Sequence, residues 1–174
     1  MKLMKALVYD RPSVCTVREL PVPECGDDEV VIKVMAASIC KGADRRHHTT
    51  GHKLGRYPIT TGHEFAGYVY QVGRQVRGFR VNDRVTADNA VPCGGCYFCK
   101  REMYTHCENF MSVGHSIPGG FAQYLKVKAN SVFHLPEGLS FNEGCLTEPV
   151  ACCVNAVKRL NVQYGEDVLV FGAG

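Results

Sequence analysis

Phe65-Ala66-Gly67-Tyr68-Val69-Tyr70-Gln71-Val72 is a run of aromatic, branched and small residues closed by Gly73. Residues of this kind fit a pleated, half-buried surface, so the run reads as a strand. Similar segments flank it: Met4–Tyr9, Val14–Arg18 and Val30–Ala37 before, and Arg84–Ala87, Phe121–Val127 and Val132–Leu135 after, with Gly or Pro punctuating the intervals. Their lengths and spacing predict a mainly β fold, an antiparallel, partly open barrel with long loops. The chain shows no internal repeat and no low-complexity linker.

After Leu139 the texture changes. Ser140 stands three residues before Glu143, the spacing of a capping box. A helical pattern then runs through Ala151, Val154, Val157 and Leu160, with Pro149 near its middle. Val168-Leu169-Val170-Phe171 follows and ends in Gly172-Ala173-Gly174. A buried strand ending in Gly-x-Gly is how a dinucleotide-binding fold begins. Residues 1–138 are therefore expected to form the β domain. Residues 139–174 are expected to supply the first helix and strand of a truncated Rossmann-type α/β domain, with Gly172 and Gly174 facing a cofactor.

Composition limits the function classes. Of 174 residues, 45% are hydrophobic and 21% charged, which excludes wholesale disorder and fibrous arrays. A net charge of +3 and a pI near 8.3, with the Lys and Arg residues scattered, give no footprint for nucleic acid. No stretch reaches the ~18 apolar residues that cross a bilayer. The opening MKLMKALVYD holds only Ala6-Leu7-Val8 before Tyr9 and Asp10, too short for an export signal, so a cytoplasmic protein is expected.

Ten cysteines are the outstanding feature. Cys93-Gly-Gly-Cys96-Tyr-Phe-Cys99 is followed, with seven residues between, by Cys107. Tight Cys-x-x-Cys steps let two thiolates face one ion, and the longer gap lets the chain return to complete a tetrahedron. Four thiolates with no open position describe a structural zinc site, with Zn–S near ~2.3 Å. Two disulfides or four core cysteines would be the alternatives, but disulfides need an oxidising compartment. A zinc lobe at about 90–110 is expected, with zinc ahead of iron–sulfur.

A second set is dispersed: Cys40, the pair His63-Glu64, and Glu148 in Thr-Glu-Pro-Val. Taken singly these are a core cysteine, a loop histidine and two solvated carboxylates. Together they are a suitable ligand set for a catalytic zinc with an exchangeable position, although sequence spacing does not bring them together. Arg45-Arg46-His47-His48 reads as a solvated loop in which the adjacent histidines point apart. Cys15, Cys25, Cys145, Cys152 and Cys153 have no ligand spacing and read as small core residues or surface thiols.

These motifs, in this order, resemble the N-terminal catalytic part of the zinc-dependent medium-chain alcohol dehydrogenases, whose substrate domain is a GroES-like β fold. The resemblance is carried by Ile39-Cys40 with Asp44 beyond, Gly62-His63-Glu64-Phe65-Ala66-Gly67, the lobe Cys93 to Cys107, and Glu148-Pro149 ahead of Val168–Gly174; Val72-Gly73 and Asn82-Asp83-Arg84-Val85 also fit. It covers essentially the whole chain. Glu148-Pro149 is similar to the sorbitol-type polyol dehydrogenases.

The resemblance implies that Cys40, His63 and Glu64 bind a catalytic zinc, with Glu148 a ligand directly or through water. Asp44 would orient the histidine from behind. It implies oxidation of a polyol or secondary alcohol to a ketone by hydride transfer to NAD or NADP, and a homo-oligomeric complete protein. An amino-alcohol substrate of the threonine dehydrogenase type is the alternative within the family. A non-catalytic zinc-binding interaction module is the alternative outside it.

The sequence departs from the family at two points. Cys40-Lys41-Gly42-Ala43-Asp44 inserts Lys41 and puts Ala43 where a hydroxyl residue usually passes a proton outward. Asn82 replaces a glycine, a change that a left-handed turn tolerates. These 174 residues, ending at the glycine turn, are expected to have no dehydrogenase activity alone.

Overall fold

The computed structural model describes residues 1–172. Among the described residues there are ten strands: β1 (Leu3–Arg11), β2 (Val14–Pro21), β3 (Glu29–Ser38), β4 (Ile59–Thr60), β5 (Glu64–Val72), β6 (Arg84–Ala87), β7 (Ala90–Val91), β8 (Met111–Ser112), β9 (Tyr124–Lys128) and β10 (Val132–His134). All seven strands expected in the β domain are among them, with ends shifted by a few residues. They form a five-stranded sheet in the order β10-β6-β5-β3-β9, a three-stranded sheet in the order β2-β1-β4, and the small pair β7-β8.

Every ladder is antiparallel. The expected strand Phe121–Val127 divides its work. Residues 124–127 pair with β3, whereas Phe121 O accepts from Leu7 N at 2.8 Å and Gln123 N donates to Lys5 O at 3.0 Å. This segment therefore joins the two sheets around one interior without closing a barrel. Val30, Ile32, Phe65, Val69, Val85, Leu125, Val127 and Val132 fill that interior. Burial of each such side chain contributes about 2 kcal/mol of transfer free energy.

Three helices complete the described chain: α1 (Ala43–His48), α2 (Phe141–Gly144) and α3 (Thr147–Leu160). The capping box forms as expected: Ser140 Oγ accepts from Glu143 N at 3.2 Å, and Ser140 N donates to Glu143 Oε2 at 2.8 Å. The helical pattern is two helices rather than one. The break at Cys145-Leu146 places Pro149 in the first turn of α3, where its missing N–H forfeits no helix bond.

The strand expected at Val168–Phe171 does not form, and Phe171 is 91% exposed. A strand needs neighbours for its N–H and C=O groups, and this segment pairs with no strand among the described residues. Among the described residues no helix is long and apolar enough to cross a membrane.

Candidate metal centres

The β3–β5 ladder ends on the pair Ser38–Glu64. That register sets Cys40, two residues beyond Ser38, beside His63 and Glu64 at one end of the sheet. Ligand atoms of Cys40, His63 and Glu64 all lie within 4.8 Å of one another, and His63 and Glu64 are buried. Ser38 Oγ donates to Glu64 Oε2 and so fixes that carboxylate.

Asp44, buried in α1, accepts from Cys40 N at 2.8 Å through Oδ2, while its own N–H donates to Cys40 O at 3.0 Å. The reciprocal pair pins the turn that carries the thiol. Ala43 N donates to Cys40 Sγ at 3.4 Å. Despite the insertion of Lys41, Asp44 lies beside the histidine, but its Oδ1 is 4.0 Å from His63 Nδ1, beyond hydrogen-bond range. Both atoms are buried without a hydrogen-bond partner among the described residues.

The other ring nitrogen, His63 Nε2, lies 3.8 Å from Glu64 Oε1, and with the Cys40 thiol these make a donor set with spare lone pairs that fits a zinc ion. Glu148 is brought to the same region but not into the three-residue cluster. In the first turn of α3, its Oε1 accepts from Asn89 Nδ2 at 3.5 Å and contacts Cys152 Sγ at 3.8 Å. Burial pushes the Glu148 carboxyl up; the nearby His63 opposes this and the Glu64 charge adds to it. Burial likewise pushes Asp44 up.

The four lobe cysteines converge as their spacing predicts. Sulfurs of Cys93, Cys96, Cys99 and Cys107 lie within 4.8 Å of one another, and Cys93 Sγ is 3.9 Å from Cys99 Sγ. Every cysteine is free, so the disulfide alternative fails. β7 and β8 form the base of the lobe, and short 3-10 turns at Cys99–Arg101 and Tyr104–His106 shape its tip. Backbone N–H groups of Cys99 and Glu108 hold the Cys96 thiol down at about 6, while burial pushes Cys99 up to about 12.

Sequence reasoning misplaced one residue and missed another. His47 is fully buried rather than solvated, although exposed His48 does point the other way. His115 lies over His63 with ring centroids 4.5 Å apart. No spacing in the sequence marks His115; only the fold brings it there. Burial is the main cause that takes His47 down to about 4 and His115 to about 3, so both are neutral near pH 7. Gly172 is exposed with φ 90°, and Gly174 lies outside the described residues.

Residues 26–137 match the model of the alcohol dehydrogenase GroES-like domain. The chain belongs to that family.

Among relatives of this GroES-like chain, sorbitol dehydrogenase of Bacillus subtilis (strain 168) is 38% identical over 98% of the chain and 49% of its own length. D-arabinitol dehydrogenase 1 of Uromyces fabae is 34% identical over 98% of the chain and 48% of its own length. The crystal structure of an alcohol dehydrogenase from Escherichia coli CFT073 complexed with NADH superposes with a TM-score of 0.83. It is 31% identical, over 90% of this chain and 45% of that one. The chain spans about half the length of the curated relatives it matches.

Proposed function

We propose that this chain is the catalytic portion of a zinc-dependent dehydrogenase that oxidises a polyol or secondary alcohol to a ketone, with NAD or NADP accepting the hydride. The observation that carries the reading is the convergence of Cys40, His63 and Glu64 at the end of the β3–β5 ladder, within 4.8 Å of one another. Sorbitol and arabinitol dehydrogenases among the relatives, and NADH in a structural neighbour, support the substrate class and the acceptor.

In this reading Cys40, His63 and Glu64 hold the catalytic zinc, with Glu148 directly or through water, and Cys93, Cys96, Cys99 and Cys107 hold the structural one. Residues 1–138 form the catalytic domain, and 139–174 begin the cofactor domain, where Gly172 and Gly174 belong to the phosphate turn. When bound, the catalytic zinc supplies Lewis acidity at the substrate oxygen and the nicotinamide a hydride acceptor.

The chain's own residues do the positioning. Asp44 fixes the Cys40 turn, and Ser38 holds one oxygen of Glu64, leaving the other toward Cys40 and His63. Glu148, with its carboxyl pushed up by burial, approaches from the side of α3. Ala43 carries no hydroxyl, so an outgoing proton leaves by another route.

Zinc per purified chain tests the reading, with Cys40→Ala as control. Two zinc ions falling to one in the variant is the expected result. One zinc, unchanged by the substitution, would sink the catalytic assignment. For the substrate class, turnover of sorbitol and butanediol against threonine by protein carrying the cofactor domain decides; activity confined to threonine would overturn the polyol assignment.

A further inference from the structure

His63 is buried, yet no hydrogen bond fixes its imidazole among the described residues: Nδ1 has no partner, with Asp44 Oδ1 4.0 Å away, and Nε2 stands 3.8 Å from Glu64 Oε1, beyond hydrogen-bond range. A ligand histidine free to rotate about its side-chain bonds pays ordering entropy when it binds. What touches the face of this ring is His115, with centroids 4.5 Å apart and planes inclined at 41°.

His115 is itself braced. Its ring lies within 5° of the plane of His47, with centroids 5.3 Å apart and His115 Nδ1 3.0 Å from His47 Nε2. A short N···N contact with widely spaced, parallel rings means that the two imidazoles meet end to end through one N–H. At its other end His47 Nδ1 is 2.9 Å from the Tyr57 hydroxyl, which also accepts from His52 N at 3.3 Å. The His52 ring lies across both imidazoles, 4.3 Å from His115 and 5.0 Å from His47.

The same helix works from the other side. His47 lies three residues after Asp44, so one face of α1 carries both. Asp44 meets the edge of His63, and His47, through His115, meets its face.

His47, His52 and His115 also bring ring nitrogens within 4.8 Å, which would admit a third metal site. The geometry opposes it. The end-to-end contact aims the His47 and His115 lone-pair directions at each other, whereas an ion at about 2.0–2.1 Å from each needs them to converge. His52 Nδ1 is already taken by Leu54 N at 3.2 Å.

We propose that His115, held by His47 and Tyr57, is a positioning residue that fixes the His63 ring in its ligating orientation. The inference rests on the ligand role proposed above for His63, but the orientation itself is testable without metal. In the chelator-treated chain, NMR couplings and NOEs of the His63 ring should report one rotamer in wild type and several in His115→Ala. Zinc affinity at the Cys40–His63–Glu64 site should fall about ten- to hundredfold, the range for partners that orient a ligand, with the cysteine-lobe zinc unchanged. In the cobalt-loaded protein the visible bands should shift.

Tyr57→Phe, which removes only the far hydroxyl, should move each readout less in the same direction, and serves if His115→Ala fails to fold. His115→Phe, which restores a ring face, should recover part of the rotamer restriction. A single His63 rotamer and zinc affinity within twofold of wild type in folded His115→Ala would overturn the inference. Wild type binding zinc only in the lobe would instead defeat the ligand assignment, and the metal-free rotamers would still decide for or against the brace.

Discussion

Gly119→Ala probes how the segment carrying His63 is held. A Cβ at this position would sit 2.2 Å from Gly62 O, 2.5 Å from Gly114 Cα and 2.8 Å from Thr61 O, all backbone atoms. Ordinary contact begins near 3.4 Å, so Gly62 O or residue 119 must yield by about 1.2 Å. No flexible side chain can absorb this. The two strips are also laced together: Gly119 N donates to Thr60 O at 2.8 Å, Gly120 N to Gly62 O at 2.7 Å and Phe121 N to Thr61 O at 2.9 Å. Overpacking costs about 1–3 kcal/mol, and one backbone bond lost with it about 1 more.

The sum, about 2–4 kcal/mol, should lower Tm by roughly 6–12 °C for a chain of this size. Gly95→Ala is the control, because nothing lies within 4 Å of its Cβ and its φ is not positive. Thermal unfolding followed by circular dichroism should show the control within about 2 °C of wild type. If Gly119→Ala melts within the same margin, the contact between the 119–121 strip and the His63 segment does not hold as described.

The buried histidines predict an acid limit. In the unfolded chain they titrate near the usual 6.5, whereas His47 and His115 stay neutral in the fold down to about 4 and about 3. Below about pH 6.5 the unfolded state therefore binds protons that the folded state refuses, and the metal-free chain loses up to about 1.4 kcal/mol per pH unit for each histidine. Urea unfolding between pH 7 and 4.5 should show this slope, reduced in His47→Gln but not abolished, because burial also pushes His52 down; a flat profile would refute it. In the lobe, Cys99 is protonated near neutrality and Cys96 largely is not, so zinc uptake must release protons. Apparent zinc affinity of the lobe, measured by chelator competition in Cys40→Ala, should rise from pH 6.5 to pH 8; pH-independent affinity would show that the thiols are already ionised.

Legibility in the sequence followed the range of the signal. Strand composition and glycine punctuation located β1, β2, β3, β5, β6, β9 and β10, and Ser140 with Glu143 located the start of α2, because each signal is local. The lobe was legible for the same reason: four cysteines within fifteen residues carry their own geometry. Local reasoning failed where tertiary context decided. Val168–Phe171 has strand composition but no neighbouring strand among the described residues to bond. Pro149, read as lying inside one helix, starts a second. His47 looked solvated because Arg45, Arg46 and His48 surround it in sequence, yet it is the position that turns inward with Asp44.

The Cys40–His63–Glu64 cluster shows why its legibility needed family resemblance. Cys40 and His63 belong to different segments and meet only because β3 and β5 pair with Ser38 opposite Glu64. That register is not uniform along the ladder. Irregularities between Val31 and Ile32 and between Val34 and Ala36 offset the partners before the ligands are reached. Side chains alternate between faces with a period of two, so a slip of one residue would send the Glu64 carboxylate to the opposite face. The separation of Cys40 from the His63-Glu64 pair along the chain therefore carries no information about their distance in space. The information resides in the ladder, whose register is held by the buried Val30, Ile32, Phe65 and Val69. Those core residues place the candidate catalytic ligands as surely as the side chains that touch them.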